Sequence, residues 1–137
     1  MFRGESVTVD YVDISGRADY DVDFDGRVIL GFSCGTKALL SWHIGASYRN
    51  QIDIWGEKGS LYSEKIFSKE DDFVPMLKSI DQYGLETTEI LNSMNQFEEM
   101  FRNFLSLLDS DVEAERERED ILHRAKVMDD IARLALR

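Results

Sequence analysis

Asp21-x-Asp23-x-Asp25-Gly26 opens like a calcium loop, in which alternate carboxylates and a glycine turn gather oxygen ligands around a hard cation. Such a loop needs a bidentate carboxylate at its twelfth position, and here that position is Phe32. No helical pattern enters the loop from upstream. The same residues read more simply as a strand with one acidic edge. Tyr20, Val22 and Phe24 alternate with Asp19, Asp21, Asp23 and Asp25, and Asp25-Gly26 signals a tight turn. His43 and His123 are the two histidines, and neither has a Cys or His at a spacing that completes a zinc site. His123 falls in a charged helical stretch and reads as solvated. His43 alternates with Trp42 and Ile44 on a strand next to a polar loop, where a satisfied structural histidine is the plainer reading. Cys34 is a lone thiol in a turn-like Cys34-Gly35-Thr36, with no motif to activate it.

The nucleophile and nucleotide motifs are absent. The serines stand outside any G-x-S-x-G elbow, and no G-x-x-x-x-G-K-[ST] or G-x-G-x-x-G occurs among the nine glycines. No catalytic, metal or cofactor-binding set is therefore assigned to the chain.

These residues must be carried by a sheet followed by helices. The period changes near residue 92, from alternation to helical spacing. Val7–Asp13 reads as a first strand ending in a Ser15-Gly16 turn, and Val28–Phe32 as the arm after the Asp25-Gly26 turn. Ala38–Ile44 is the next strand. Gln51–Trp55 and Ser60–Ser63 pair through Gly56-Glu57-Lys58-Gly59. Short turns without crossover helices imply antiparallel pairing, with about five or six strands. Residues 64–90 are the least patterned, with Thr87–Ile90 as a short edge strand. A helix is expected from Asn92 or Ser93, with Met94, Phe97, Met100, Phe101, Phe104, Leu105 and Leu108 on one stripe. Asp109-Ser110-Asp111 breaks it and caps a second helix, whose buried side is expected at Ile121, Ala125, Met128, Ile131 and Ala135.

The fold expected is α+β, a single domain spanning 1–137: an open-faced antiparallel β-sheet over 6–91, with two long C-terminal helices (92–137) packed on one face. The other face, carrying residues such as Leu39, Trp55 or Tyr62, would stay uncovered and meet a partner or ligand. The chain has 137 residues, 43% hydrophobic and 31% charged, with net charge −11. That charge argues against nucleic acid and against an anionic membrane. No apolar run is long enough to span a bilayer or serve as a signal peptide, and the lone cysteine suits a reducing cytoplasmic location.

The run Trp42-His43-Ile44-Gly45-Ala46-Ser47-Tyr48-Arg49-Asn50-Gln51-Ile52-Asp53-Ile54-Trp55-Gly56-Glu57-Lys58-Gly59-Ser60-Leu61 resembles the C-terminal domain of the glucose–fructose oxidoreductase, inositol dehydrogenase and rhizopine-catabolism (Gfo/Idh/MocA) family. Strand, Tyr-Arg-Asn-type loop, strand ending in Trp-Gly, and Gly-Ser turn follow in the family's order. The Asp25-Gly26 hairpin, the Gly35 turn, Ile66-Phe67 and the closing Ala125–Ile131 helix resemble it too, so the likeness covers about residues 7–67 and 94–135.

That resemblance implies one half of a two-domain NAD(P)-dependent enzyme acting on sugars, cyclitols or nucleotide-linked sugars. NAD or NADP would be held by a Rossmann domain that this chain lacks. The family's Glu-Lys-Pro segment with its catalytic lysine and its Asp-x-x-x-His helix are also missing, so the isolated chain is expected to be inactive, as a fragment or a truncated gene product. Tyr48 and Arg49, then Asn50 and His43, are expected to face the sugar: Arg donates through a rigid fork, and Tyr offers a flat face with a hydroxyl. A twofold dimer through the open sheet face is expected. The competing reading is a non-enzymatic, self-associating interaction module.

Overall fold

The computed structural model describes residues 5–67 and 70–136, except for the side chains of Tyr20 and Asp21. Seven strands precede two helices: β1 (Val7–Arg17), β2 (Tyr20–Phe32), β3 (Lys37–His43), β4 (Gln51–Gly56), β5 (Gly59–Glu64), β6 (Met76–Asp81), β7 (Glu86–Ile90), α1 (Gln96–Leu108) and α2 (Asp111–Ala135). Every strand pairing is antiparallel. The α+β class and the two C-terminal helices are as the sequence predicts. The sheet is not one piece: β1-β2-β3 form one and β4-β5-β6-β7 another. The chain divides into two compact units, one of residues 1–46 with 110–137 and one of residues 47–109.

In the first unit, register sorts the side chains into two unlike faces. Val9, Leu30 and Ala38 form one row, Val12, Val28 and Leu40 the next, and Ile14, Gly26 and Trp42 a third. This apolar face holds Val28, only 1% exposed, and α2 lies against β1. Leu40 and Trp42, farther from β1, stay partly exposed. The opposite face is polar. Lys37 pairs with Asp10, the Arg27 guanidinium donates to Asp13 (3.0 Å), and the Ser15 hydroxyl donates to Asp25.

Two expected turns are corrected here. Asp25-Gly26 lies inside the 13-residue β2, not at its end. A Cβ at Gly26 would stand 2.2 Å from the Trp42 ring, so the glycine serves close packing of an indole across the sheet rather than chain reversal. Asp21, Asp23 and Asp25 accordingly sit on a continuous strand. Ser15-Gly16 is likewise no turn: β1 runs on to Arg17 through register shifts at Ser15/Gly16 and Gly16/Arg17, which are bulges. The Cys34-Gly35-Thr36 turn is present, with Gly35 at φ 87 and the Phe32 N–H donating to the Thr36 carbonyl.

The second unit is a meander of hairpins. Gly56 pairs with Gly59 across the β4–β5 turn as the sequence implies, and Glu86–Ile90 forms the edge strand next to β6, which the sequence reading did not identify. Helix α1 begins at Gln96, not at 92 or 93, because the Asn95 side chain accepts from the Phe97 and Glu98 N–H groups. Ser110 caps α2 in the same manner, accepting from Glu113 N–H. The α1 stripe of Phe97, Met100, Phe101, Phe104, Leu105 and Leu108 is exposed along its length. On α2 the half-buried side runs through Ala114, Glu117, Val127, Ile131 and Leu134, while Ile121 and Met128 face out. Of the expected side, Ile131 and Ala135 are half-buried while Ile121, Ala125 and Met128 are exposed; Glu117 and Asp130 lie on the half-buried side, paired with Arg124 and Arg133.

Candidate functional site

Tyr48, Arg49 and Asn50 form the irregular segment entering β4. The Asn50 side chain ties it down from both ends. Its amide Nδ2 donates to the Tyr48 hydroxyl oxygen (3.1 Å), and its Oδ1 accepts the Phe67 N–H (3.1 Å). The Asn50 carbonyl also accepts the Lys65 N–H at 2.6 Å. Tyr48 remains 72% exposed above this anchor, a ring held at its oxygen with its face in solvent.

Arg49 continues into a polar row on one face of β4 and β5. Its Nε donates to Gln51 Oε1 (2.8 Å), an oxygen that also lies 3.3 Å from the Tyr62 hydroxyl. Tyr62 donates more closely to Glu64 Oε1, at 2.7 Å. That bond, with partial desolvation and the nearby carboxylate charge, raises the Tyr62 pKa above its ordinary value, since a phenolate would lose the bond and meet a like charge. Farther along the same face, Trp55 Nε1 donates to Asp53 Oδ1 (2.8 Å), leaving the indole 83% exposed. Among the described residues Arg49 forms no ion pair, so its terminal nitrogens can donate to a ligand's hydroxyl or phosphate oxygens.

Three of the four residues singled out from the sequence are thus brought together in the second unit. His43 ends β3 in the first unit, exposed, in register opposite Asp25. The sequence reading missed Gln51, Asp53, Tyr62 and Glu64. Their signal was the alternation Arg49, Gln51, Asp53, Trp55, which puts every second side chain of a strand on one face. Elsewhere in this unit an open cavity of about 300 Å³ is lined by Lys58, Ser60, Ser79, Asp81, Leu85 and Thr87, and does not include the Tyr48–Asn50 segment. Asp81 Oδ1 is committed there to the Tyr83 and Leu85 N–H groups. The side chains of the Tyr48–Asn50 segment are positioned by hydrogen bonds, whereas the cavity is open to solvent.

The helix starts do not fit a nicotinamide dinucleotide. A pyrophosphate seat needs a glycine-rich turn delivering free N–H groups to an anion. Asn95 takes two of those N–H groups and Ser110 takes one, and Glu98, Glu99, Asp111 and Glu113 crowd the first turns with negative charge. No group of His, Cys, Asp and Glu suited to a metal ion occurs among the described residues, and none of their helices is long and apolar enough to cross a membrane.

Neither a family model nor a curated protein matches the chain. Solved structures do. A mutant form of KijD10, a 3-ketoreductase from Actinomadura kijaniata, in complex with TDP-benzene and NADP, matches with a TM-score of 0.78 and 22% identity over 92% of this chain and 40% of that one. KijD10 in complex with NADP alone matches at TM-score 0.67 and 20% identity, over 74% of this chain and 32% of the other. The chain thus spans about a third to two fifths of the length of these proteins, and shares their fold over that part.

Proposed function

We propose that the chain is the substrate-binding and oligomerising domain of an NAD(P)-dependent oxidoreductase acting on a sugar or nucleotide-linked sugar. The observation that carries this is the fold match over 92% of the chain to a 3-ketoreductase in complex with TDP-benzene and NADP. The resemblance of residues 42–61 to the Gfo/Idh/MocA family supports it independently. In this reading the dinucleotide is held by another part of a longer polypeptide, in keeping with acidic, side-chain-capped helix starts that do not fit it. Tyr48 lays its exposed face against the sugar ring, Arg49 donates to hydroxyl or phosphate oxygens, and Asn50 fixes Tyr48 in place.

The test joins this chain to a dinucleotide-binding domain and assays NAD(P)-linked turnover across sugars and nucleotide-linked sugars. Arg49→Ala is expected to raise KM about tenfold or more, the loss of one charge-assisted hydrogen bond, with kcat less affected. An unchanged KM removes Arg49 from the site, and no turnover of any such substrate defeats the reading. The extensive apolar exposure of α1 favours one alternative, a self-associating interaction module without catalysis. The reading frame upstream of Met1 separates the two, since a contiguous glycine-rich βαβ segment belongs to the enzyme.

A further inference from the structure

The open cavity of the second unit has its origin in register. Ile54, Leu61, Ser79 and Thr87 form one row across β4, β5, β6 and β7, and Gly56, Gly59 and Asp81 form the next row on the same face. Two glycines opposite each other leave this end of the face as bare backbone, which is where a sheet lets another group approach closely. The depression holds about 300 Å³ and is lined from the two hairpin turns by Lys58 and Leu85, at the small end of the range for ligand sites. Its wall is set before anything binds. Asp81 Oδ1 accepts from the Tyr83 and Leu85 N–H groups (2.8 and 2.9 Å), and the Asp81 N–H donates to the Leu85 carbonyl (3.1 Å). The Gly84 N–H closes the same turn on the Asp81 carbonyl at 3.0 Å.

The groups around this wall are uncommitted. Asp81 Oδ2 is left as an acceptor. Among the described residues Lys58 forms no ion pair, and the Ser79 and Thr87 hydroxyls form no hydrogen bond. The cavity therefore offers an ammonium, two hydroxyls that both donate and accept, and one carboxylate oxygen. Leu61 and Leu85, 38% and 67% exposed, add apolar surface beside them. Lys58 and Asp81 carry opposite charges, so the lining is neutral overall. We infer that this cavity is a second ligand site, apart from the Tyr48–Asn50 segment, for an uncharged monosaccharide ring. The C–H face of such a ring covers Leu61 and Leu85, while its hydroxyl edge reaches Ser79, Thr87, Lys58 and Asp81 Oδ2. An inorganic anion would meet the Asp81 carboxylate as a like charge. A purely apolar molecule would leave the four polar groups without partners.

The test titrates the ¹⁵N-labelled 137-residue chain with the methyl glycosides of glucose, galactose and mannose, and separately with inorganic phosphate and cyclohexanol, reading amide shifts by NMR. At least one glycoside should shift Gly59, Leu61, Ser79, Asp81 and Thr87 in a saturable way, with a dissociation constant on the order of millimolar for so open a site. Phosphate and cyclohexanol should not. Thr87→Val and Lys58→Ala should each weaken the glycoside about fivefold or more, the loss of one hydrogen bond, with the spectrum away from the cavity unchanged as the folding check. Three results overturn the proposal: no saturable shift with any glycoside up to roughly 100 mM, equal binding by both variants, or saturation by phosphate or cyclohexanol instead. Shifts confined to residues 48–50 also overturn it, while supporting the substrate role given to that segment. Arg49→Ala should leave the cavity shifts as they are, so the failure of either site is read separately from the other.

Discussion

Asp10 shows how a single side chain ties the polar face of the first sheet to solution conditions. Its carboxylate accepts from Lys37 and from the Thr8 hydroxyl, and these bonds hold its pKa below the ordinary 3.8. A carboxylate depressed on folding contributes stability above its unfolded pKa and loses it as pH falls through the folded value. Asp10→Asn should therefore lower the melting temperature at neutral pH, with the difference from wild type shrinking steadily below pH 3.8. Thermal scans from pH 7 to pH 2 would show this, and parallel curves at all pH values would contradict it. At this same scale the candidate site was half legible. Tyr48, Arg49 and Asn50 stood out because a Tyr-Arg-Asn loop between strands resembles a known pattern. Tyr62 and Glu64 did not, because they join Arg49 only through Gln51 across a hairpin, a contact that register creates and spacing along the chain does not display.

Elements were read well where period and turn chemistry agreed, and poorly where a residue's usual role was overridden by packing. The β4–β5 hairpin and the Ser110 cap fall where predicted. Asp25-Gly26 misled because glycine's commonest use near an acidic residue is a turn, whereas here it makes room for Trp42. Strand β6 went unread because Met76–Asp81 mixes Leu77, Lys78 and Ser79 without clean alternation. The hairpin turn offers a direct test of how much a glycine conformation weighs. Gly59 has φ +143, and a Cβ there would lie 2.1 Å from the Ile80 carbonyl oxygen of the neighbouring strand, while Gly35 has φ +87 and open space around it. Gly35→Ala should cost about 1 kcal/mol, the strain of a left-handed backbone alone. Gly59→Ala should cost clearly more, about 2–4 kcal/mol, because backbone must move to relieve the clash. Urea melts of the two variants, with equal losses as the contrary outcome, would check it.

For the molecule as a whole, the net charge of −11 opposes any meeting of two copies. That repulsion acts over many ångströms and is screened once the Debye length falls to about 10 Å near 0.1 M salt. Self-association should accordingly strengthen as ionic strength rises from a few millimolar toward physiological values, and equilibrium sedimentation along that series would reveal the trend. A constant that weakens from the first addition of salt would mean that attractive ion pairs between copies outweigh the overall charge. The first unit is also discontinuous in sequence, its sheet drawn from residues 1–46 and its covering helix from 110–137. During synthesis the three strands leave the ribosome well before α2 exists, and the whole of residues 47–109 must be translated in between. At ordinary elongation rates that interval lasts roughly 3–13 s. Throughout it Val12, Val28 and Leu30 present an apolar surface on the nascent chain, the kind of surface a ribosome-associated chaperone recognises, until the last helix arrives.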